Sequence, residues 1–522
     1  MGGLWLVLAL AGCAATGAGQ GQVGGQVVGQ GGGQVEGHAA GSAIGADGVR
    51  VTPIRDLGFA RWPGSAGADT GALSRGVNGA TGLLRNLLKT YTTDPVLRPV
   101  SSIRSLAFLV ENTLADIAER VAISVVHLPA VTRTPVPPIA DAPGMELAAW
   151  ERELDRLTGA QASTGSLEFL VDGDEFFPAL VESIGNAQRS VDVRTYIFDN
   201  DDFAIGIADL LKARSHEIDV KVTMDGIGTL SGGLVASTSM PGTFEPPPSI
   251  AEYLNEDGKV EVRTLTNPWF SGDHAKVTIV DQEIAYVGGM NIGREYRFDW
   301  HDLMVEVRGA VVADLGRDFD DTWARSGTLG DFAMLLGASR SRDPGNLDEG
   351  YPVRVLHTSP GRSQIYEAQL AAIRRARRRV FIENPYFSDD AVLFELIAAR
   401  RRGVDVRFVI AQRSDAKLMD MSNVDAINTM LANGIRVYLY PGMTHAKATI
   451  VDGWLMVGSA NLDKLSMRVN REINVAASHP AAVRALEERL FEADFAAATE
   501  LSEPLPAGLY HQLAEMIADV LL

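Results

Sequence analysis

Apolar and polar residues alternate over 191–198, Val-Asp-Val-Arg-Thr-Tyr-Ile-Phe, with the two-residue period of a strand. Residues 203–214 then read as a helix, and 218–225 as a second strand ending at Asp225. The second half repeats that order. Val380 to Phe387 reads as a strand, 389–402 as a helix and Val404 to Ile410 as a strand. Acidic pairs follow both first strands, Asp201-Asp202 and Asp389-Asp390. Strands alternating with helices predict βαβ units and mostly parallel sheets. The halves align as an internal duplication with a period of about 170 residues, too long for a solenoid repeat. Residues 327–350 carry several Gly, Ser and Asp residues and read as the linker between them.

Upstream, Ile103, Leu106, Val110, Leu114, Ile117, Val121 and Val125 recur at three- and four-residue steps and form one apolar stripe. The stripe predicts a helix packed on the main body, with Ser101 or Ser102 as its N-cap. The alternative is a helix lying on a membrane surface or flanking the substrate. Pro135-Val136-Pro137-Pro138 closes the region. Residues 16–48 are Gly- and Gln-rich and too poor in apolar surface to order themselves, which reads as a flexible tether. Before them, residues 4–11 form an apolar run of signal-peptide length, too short to span a bilayer. Leu10-Ala11-Gly12-Cys13 resembles a bacterial lipobox, which implies cleavage before Cys13 and its lipidation. No Lys or Arg precedes the run, unlike the usual positive start of a secretory signal.

The expected organisation is a signal peptide at 1–12, a linker at 13–48 and a helical extension at 49–160. Two similar domains follow at 161–330 and 350–500, and then a C-terminal helix at 501–522. The fold class is α/β, with two similar, duplicated domains.

The chain has 522 residues, room for two cores plus extensions. Its net charge of −19 argues against general nucleic-acid binding, which leaves a basic footprint. Cys13 is the only cysteine, so no internal disulfide framework exists.

The chemistry sits in a pattern that occurs twice. His274, Lys276, Asp281, Gly288, Gly289 and Asn291 form one copy; His445, Lys447, Asp452, Gly458, Ser459 and Asn461 form the other. In His274-Ala-Lys276 an extended strand places both functional side chains on one face. Apolar residues 277–280 continue the strand, Asp281 opens a turn, and 284–287 returns toward a Gly-Gly bend that brings Asn291 back. Two imidazoles flanked by two ammonium groups suit displacement at a phosphodiester phosphorus. A lone His-x-Lys on a strand is ordinary surface decoration; two copies with matching turns and Asn are not.

Together these motifs resemble the phospholipase D superfamily, with its paired His-x-Lys-x4-Asp motifs, over about 166–495. Gly288 to Gly293 with Tyr296, Trp300-His301-Asp302, and Glu383 to Phe387 resemble its cardiolipin-synthase-like branch. The resemblance implies a catalytic set of His274, Lys276, Asp281, His445, Lys447 and Asp452, with both His-Lys pairs at one cleft. It implies attack by one imidazole, giving a phosphohistidine, while the other protonates the leaving alcohol. His274 is the expected nucleophile and His445 the expected acid. The lysines would neutralise the nonbridging oxygens, and Asn291, Asn461 and Ser459 would bind substrate. The resemblance points to Asp302 as the carboxylate orienting the first histidine and Glu472 as that orienting the second. Asp281 and Asp452, at turns, are expected to brace the fold rather than touch phosphate. No cofactor and no metal is required, since lysine takes the divalent ion's role, and activity is expected to survive EDTA.

His301 is expected to be a structural neighbour and His357 a lining or core residue. The Arg-rich runs at 374–379 and 400–402 read as solvated helix ends, or else as contacts to anionic headgroups.

The implied reaction is phosphatidyl transfer between phospholipids, phosphatidylglycerol and also phosphatidylethanolamine, at a membrane surface with no nucleic-acid partner. The implied place is the bacterial cell envelope, lipid-anchored and facing the periplasm, with the outer membrane favoured by Ala14 and Ala15 after the cysteine. The rivals are a hydrolytic phospholipase D, a nuclease of the same superfamily, and a catalytically silent lipid-binding scaffold.

Overall fold

The computed structural model describes residues 96, 98–123, 132–232, 237, 239–265, 271–335, 350–415 and 417–506. The signal peptide at 1–12, Cys13, the tether at 13–48, most of the 327–350 linker and residues 507–522 of the expected C-terminal helix lie outside the described residues.

The first half contributes strands β1 (Ser163–Val171), β2 (Ser190–Thr195), β3 (Asp219–Asp225), β4 (Glu261–Leu265), β5 (Val277–Val280), β6 (Ile284–Gly288) and β7 (Leu303–Arg308). The second contributes β8 (Tyr351–Ser359), β9 (Arg362–Ser363), β10 (Arg379–Glu383), β11 (Asp405–Ala411), β12 (Arg436–Tyr440), β13 (Ala448–Val451), β14 (Trp454–Gly458), β15 (Glu472–Ala477) and β16 (Thr499–Glu500). In space the first half runs β1-β7-β6-β5-β2-β3-β4, and the second runs β8-β15-β14-β13-β10-β11-β12-β16. The duplication read from the sequence is therefore a duplication of topology. Antiparallel pairing of β1 with β8, Ser163 opposite Val353, joins the halves edge to edge.

The sheet is mixed rather than mostly parallel. Among the described strands, only the pairs β2–β3, β3–β4, β10–β11 and β11–β12 run parallel. The His-x-Lys segments cause the difference. Each continues into a strand that folds back at its motif aspartate as a hairpin, β5–β6 or β13–β14. That hairpin lays antiparallel ladders beside the βαβ units.

Three apolar clusters follow from this layout. One fills the first half and one the second, whereas the third takes Val277, Ile279 and Phe319 from one half and Ile450, Val475 and Phe491 from the other. A core common to both halves fixes their relative placement, as a shared cleft requires. Helix Leu147–Thr158 docks on the second half through Trp150, whose ring meets the edge of buried Trp454 at 5.3 Å.

The helix predicted near residue 101 spans Pro99–Ala122, but its expected orientation is reversed over the first turns. Val100, Ile103 and Val110 are exposed while Ser102 and Ser105 face the protein. Polar anchors decide this. The Ser101 amide and hydroxyl both donate to Asp331, and the Ser102 hydroxyl donates to the Arg98 carbonyl. Neither serine is the N-cap; Pro99 opens the helix, where its missing N–H costs nothing. Among the described residues no helix is long and apolar enough to cross a membrane.

Candidate active site

Each His-x-Lys stretch leaves its own half and pairs with the other. The His274 amide donates to the Arg471 carbonyl at 2.9 Å, and the His445 amide to the His301 carbonyl at 2.6 Å. Isolated bridges Asp273–Arg471 and His301–Thr444 hold the same crossing. Ala275 and Ala446 point into the shared core, so the flanking His and Lys share the cleft face, as strand periodicity demands.

The orienting carboxylates are exchanged between halves. His274 Nδ1 lies 2.9 and 3.0 Å from the two oxygens of Glu472, and His445 Nδ1 lies 2.7 Å from Asp302. The pairing implied by the resemblance, Asp302 with the first histidine and Glu472 with the second, is corrected: each carboxylate serves the histidine of the opposite half. The physical reason is the crossing itself. β7 and β15 begin beside the neighbouring half's motif, which puts Asp302 and Glu472 across the cleft from their own histidines.

With Nδ1 bonded to a carboxylate, each ring holds its proton there and leaves Nε2 for chemistry. Burial lowers the pKa of His274, opposed by Glu472. Burial takes His445 well below the ordinary histidine value, and Lys447, Lys276 and His274 push it further. Burial also pushes Lys276 down to about 7 and Lys447 down to about 8. Each lysine donates to the carbonyl of its own motif histidine, Lys276 at 2.7 Å and Lys447 at 2.5 Å. Asp302 is pushed up to about 7 by burial, against the pull of Lys447. Four cationic or potentially cationic groups thus meet in a desolvated cleft. An anionic phosphodiester relieves their repulsion on entering. Aromatic rings form the walls: Tyr196 packs on His274 at 4.8 Å, and Trp300 and Tyr296 lie 5.3 and 5.7 Å from His445.

Residues 180–323 and 370–494 match the family model "Cardiolipin synthase, PLD-like domain". The chain belongs to this family. It is an enzyme of the phospholipase D superfamily, of the phosphatidyltransferase kind. It is 31% identical over 366 residues to cardiolipin synthase A of Pseudomonas fluorescens strain SBW25, covering 65% of this chain and 71% of that one. It is 29% identical over 321 residues to cardiolipin synthase B of Salmonella typhi, covering 59% and 75%. The crystal structure of phosphatidylserine synthase from Haemophilus influenzae Rd KW20 shares the fold, with a TM-score of 0.53 at 15% identity over 70% of this chain and 96% of that one.

Against this family frame, several predicted site residues take different places. Asp281 and Asp452, grouped with the catalytic set by their motif, sit at the far ends of β5 and β13, on the order of 20 Å along the strand from the histidines. Asp281 accepts from the amides of Gln188, Arg189 and Ser190; Asp452 accepts from Met145, Arg377, Arg378 and Arg379. Both brace loops that enter the sheet. Asn291 is committed to protein: its amide donates to the Tyr296 hydroxyl, and its oxygen accepts from the Ile197 amide. Asn461 differs, with a buried Oδ1 that has no hydrogen-bond partner. Ser459 is turned from the substrate side; its hydroxyl donates to Glu472 at 2.5 Å. Gly289, at the matching place, lies so close to Asp302 that a Cβ would come within 2.2 Å of its Oδ1.

His357 is half-buried, with its Nδ1 3.5 Å from Asp318. His301 does not enter the cleft, and its ring is held by Asp172 at 2.7 Å and Asp494 at 3.2 Å. The arginine runs are largely engaged within the protein, for example Arg374 with Glu395 and Arg375 with Glu153.

The reading of the sequence missed Tyr196 as a wall of the site. Aligning the two halves would not have flagged it: the ladders that match Arg194 with Glu383 set Tyr196 against Pro385, and the aromatic they repeat is Phe198 with Phe387.

Proposed function

We propose that this enzyme transfers a phosphatidyl group onto the hydroxyl of phosphatidylglycerol through a phosphohistidine, giving cardiolipin. The observation that carries the reading is the crossed pair of carboxylate-held imidazoles, each beside a buried lysine. His274 Nε2 attacks phosphorus and the bond to the leaving alcohol breaks, its oxygen taking the proton from His445 Nε2. His445 then accepts the proton of the incoming lipid hydroxyl, which displaces His274 and releases it neutral. Lys276 and Lys447 balance charge on the nonbridging oxygens in both steps. A bound phosphodiester anion raises the pKa of both histidines, which lets one of them carry the acid's proton.

The assignment of His274 as nucleophile is supported by its two-oxygen contact with Glu472, which Ser459 steadies. The strongly depressed pKa of His445 favours the reverse assignment, because a nucleophile must be neutral. The donor lipid is phosphatidylglycerol or phosphatidylethanolamine, presented at a membrane surface. Lipidation at Cys13 would hold the enzyme on the periplasmic side of the envelope, with 161–330 and 350–500 as the paired catalytic domains.

Product analysis tests the reaction. The enzyme is incubated with phosphatidylglycerol vesicles, with and without phosphatidylethanolamine, and the lipids are resolved by mass spectrometry. Cardiolipin with free headgroup is the expected product. Phosphatidic acid alone would make the enzyme a hydrolase, and no lipid product would redirect the search to nucleic-acid substrates. Cys13→Ser should release the protein from membranes, and unchanged retention would remove the anchor.

A further inference from the structure

Behind each cleft histidine lies a buried charged cluster, and the clusters occupy equivalent places in the two halves. Arg194 pairs opposite Val277 and Glu383 opposite Ala448, each three residues beyond its motif histidine. Arg194 and Glu383 are therefore structural counterparts of opposite charge. Asp318 lies on the helix that follows β7, and Asp494 on a helix that follows β15.

The first cluster balances. The Arg194 guanidinium binds Asp273 and Asp318, and Arg471 approaches the same two carboxylates. The second does not balance. Fully buried Glu383 and buried Asp494 face one imidazole, that of His301, with Asp172 on the ring's other side. Glu383 Oε1 accepts from the Thr444 hydroxyl, whereas its Oε2 is buried without any hydrogen-bond partner. Where the first half has a guanidinium, the second has a further carboxylate, and keeping both carboxylates charged in the interior is costly. Burial and the neighbouring Asp494 accordingly push the Glu383 pKa well above the ordinary carboxylate value.

The geometry is that of a ligand set. His301 Nε2 lies 3.2 Å from Asp494 Oδ2 and 3.8 Å from Glu383 Oε1, and one ligand atom from each of the three residues falls within 4.8 Å of the others. Ligands about 2.1 Å from a tetrahedral zinc ion stand roughly 3.4 Å apart, inside that spread. The other ring nitrogen, Nδ1, contacts the Asp172 carboxylate at 2.7 Å, the outer partner that metal-bound histidines usually have.

We propose that His301, Glu383 and Asp494 form a binding site for one divalent cation of the zinc or manganese class. An imidazole among the ligands selects this class over magnesium or calcium. The cation stands where Arg194 stands in the other half, and a water molecule completes its coordination. It touches neither the lysines nor the reacting phosphorus. Its action is positional, because His301 gives its carbonyl to the His445 amide and precedes Asp302, which holds the His445 ring. In the cation's absence a proton on His301 answers the same charge, so the two compete for the site.

The test uses the full chain. Metal content is measured as purified, and after stripping with a chelator the protein is titrated separately with Zn²⁺, Mn²⁺ and Mg²⁺ while thermal unfolding is followed. The expected result is about one Zn²⁺ or Mn²⁺ per chain with a raised Tm, and no response to Mg²⁺. Glu383→Gln and Asp494→Asn should lose both the ion and the shift. Asp172→Asn should weaken affinity by about 10- to 100-fold. Glutamine mimics a protonated Glu383, so that variant folds even if the site is a proton site. Wild-type protein that takes up none of the three ions, or Mg²⁺ alone, overturns the proposal. Equal uptake by the wild type and both carboxylate variants places the ion elsewhere and overturns it too.

Discussion

The two halves share a topology and differ where charge is handled. In the first, Gly289 leaves room for the short Asp302 carboxylate, which serves His445. In the second, Ser459 replaces the glycine and donates to the longer Glu472, which serves His274. The frame is what the duplication supplied. On the proposed mechanism this asymmetry suits one site to two different tasks, since an attacking imidazole and a proton-donating one need different surroundings. The crossing of carboxylates makes each half incomplete alone.

The largest effects should come from the histidines. His274→Ala and His445→Ala should each lower kcat by at least about 10³-fold, since nucleophile and acid act as a unit. Near-normal turnover in either variant would break the shared site. Next come the orienting groups. Asp302→Asn and Glu472→Gln should each cost about 10²- to 10⁴-fold, through loss of the correct tautomer. The crossing sharpens this: Glu472→Gln should impair the step that uses His274, and Asp302→Asn the step that uses His445. Single-turnover kinetics separate the two, and identical defects would contradict the crossed assignment.

A smaller contrast concerns the turn. Ser459→Ala removes one hydrogen bond to a charged group, worth about 1.5–3 kcal/mol, or roughly 10- to 150-fold in rate if it is felt fully in the transition state. Gly289→Ala, by contrast, must displace Asp302 and should be the more damaging change despite adding one methyl group. A pH profile should show the mildest effect. The free-enzyme pKa values near 7 for Lys276 and 8 for Lys447 mean that both cations are lost as pH rises. kcat/KM should therefore fall above about pH 8, through weaker binding of the anionic substrate. A flat profile to pH 10 would show that both lysines keep their charge.

Much of this was legible in the chain. The His-x-Lys pairs show through strand periodicity, and Asp281 and Asp452 through their place at turns. The duplication shows through repeated strand and helix patterns. What was not legible depended on which half faces which. Asp302 and Glu472 are visible as acids near β7 and β15, but only packing across the common core decides which histidine each one holds. Ser459 follows its motif glycine as Gly289 does, so nothing local reveals that its hydroxyl turns to Glu472. The stripe at Ile103 and Val110 predicted a buried face, yet Asp331, some 230 residues away in sequence, captures Ser101 and turns the helix over. Long-range polar anchors of this kind leave no periodic signature.

The central claim is that two halves build one site with one nucleophile. The direct measurement is to quench the enzyme during turnover under alkaline conditions, which preserve phosphohistidine, and to map the adduct by peptide mass spectrometry. The account predicts a single phosphatidyl adduct per chain, on His274. An adduct on His445 alone would exchange the two roles within the same site, whereas adducts on both histidines of one chain, or on neither, would contradict it.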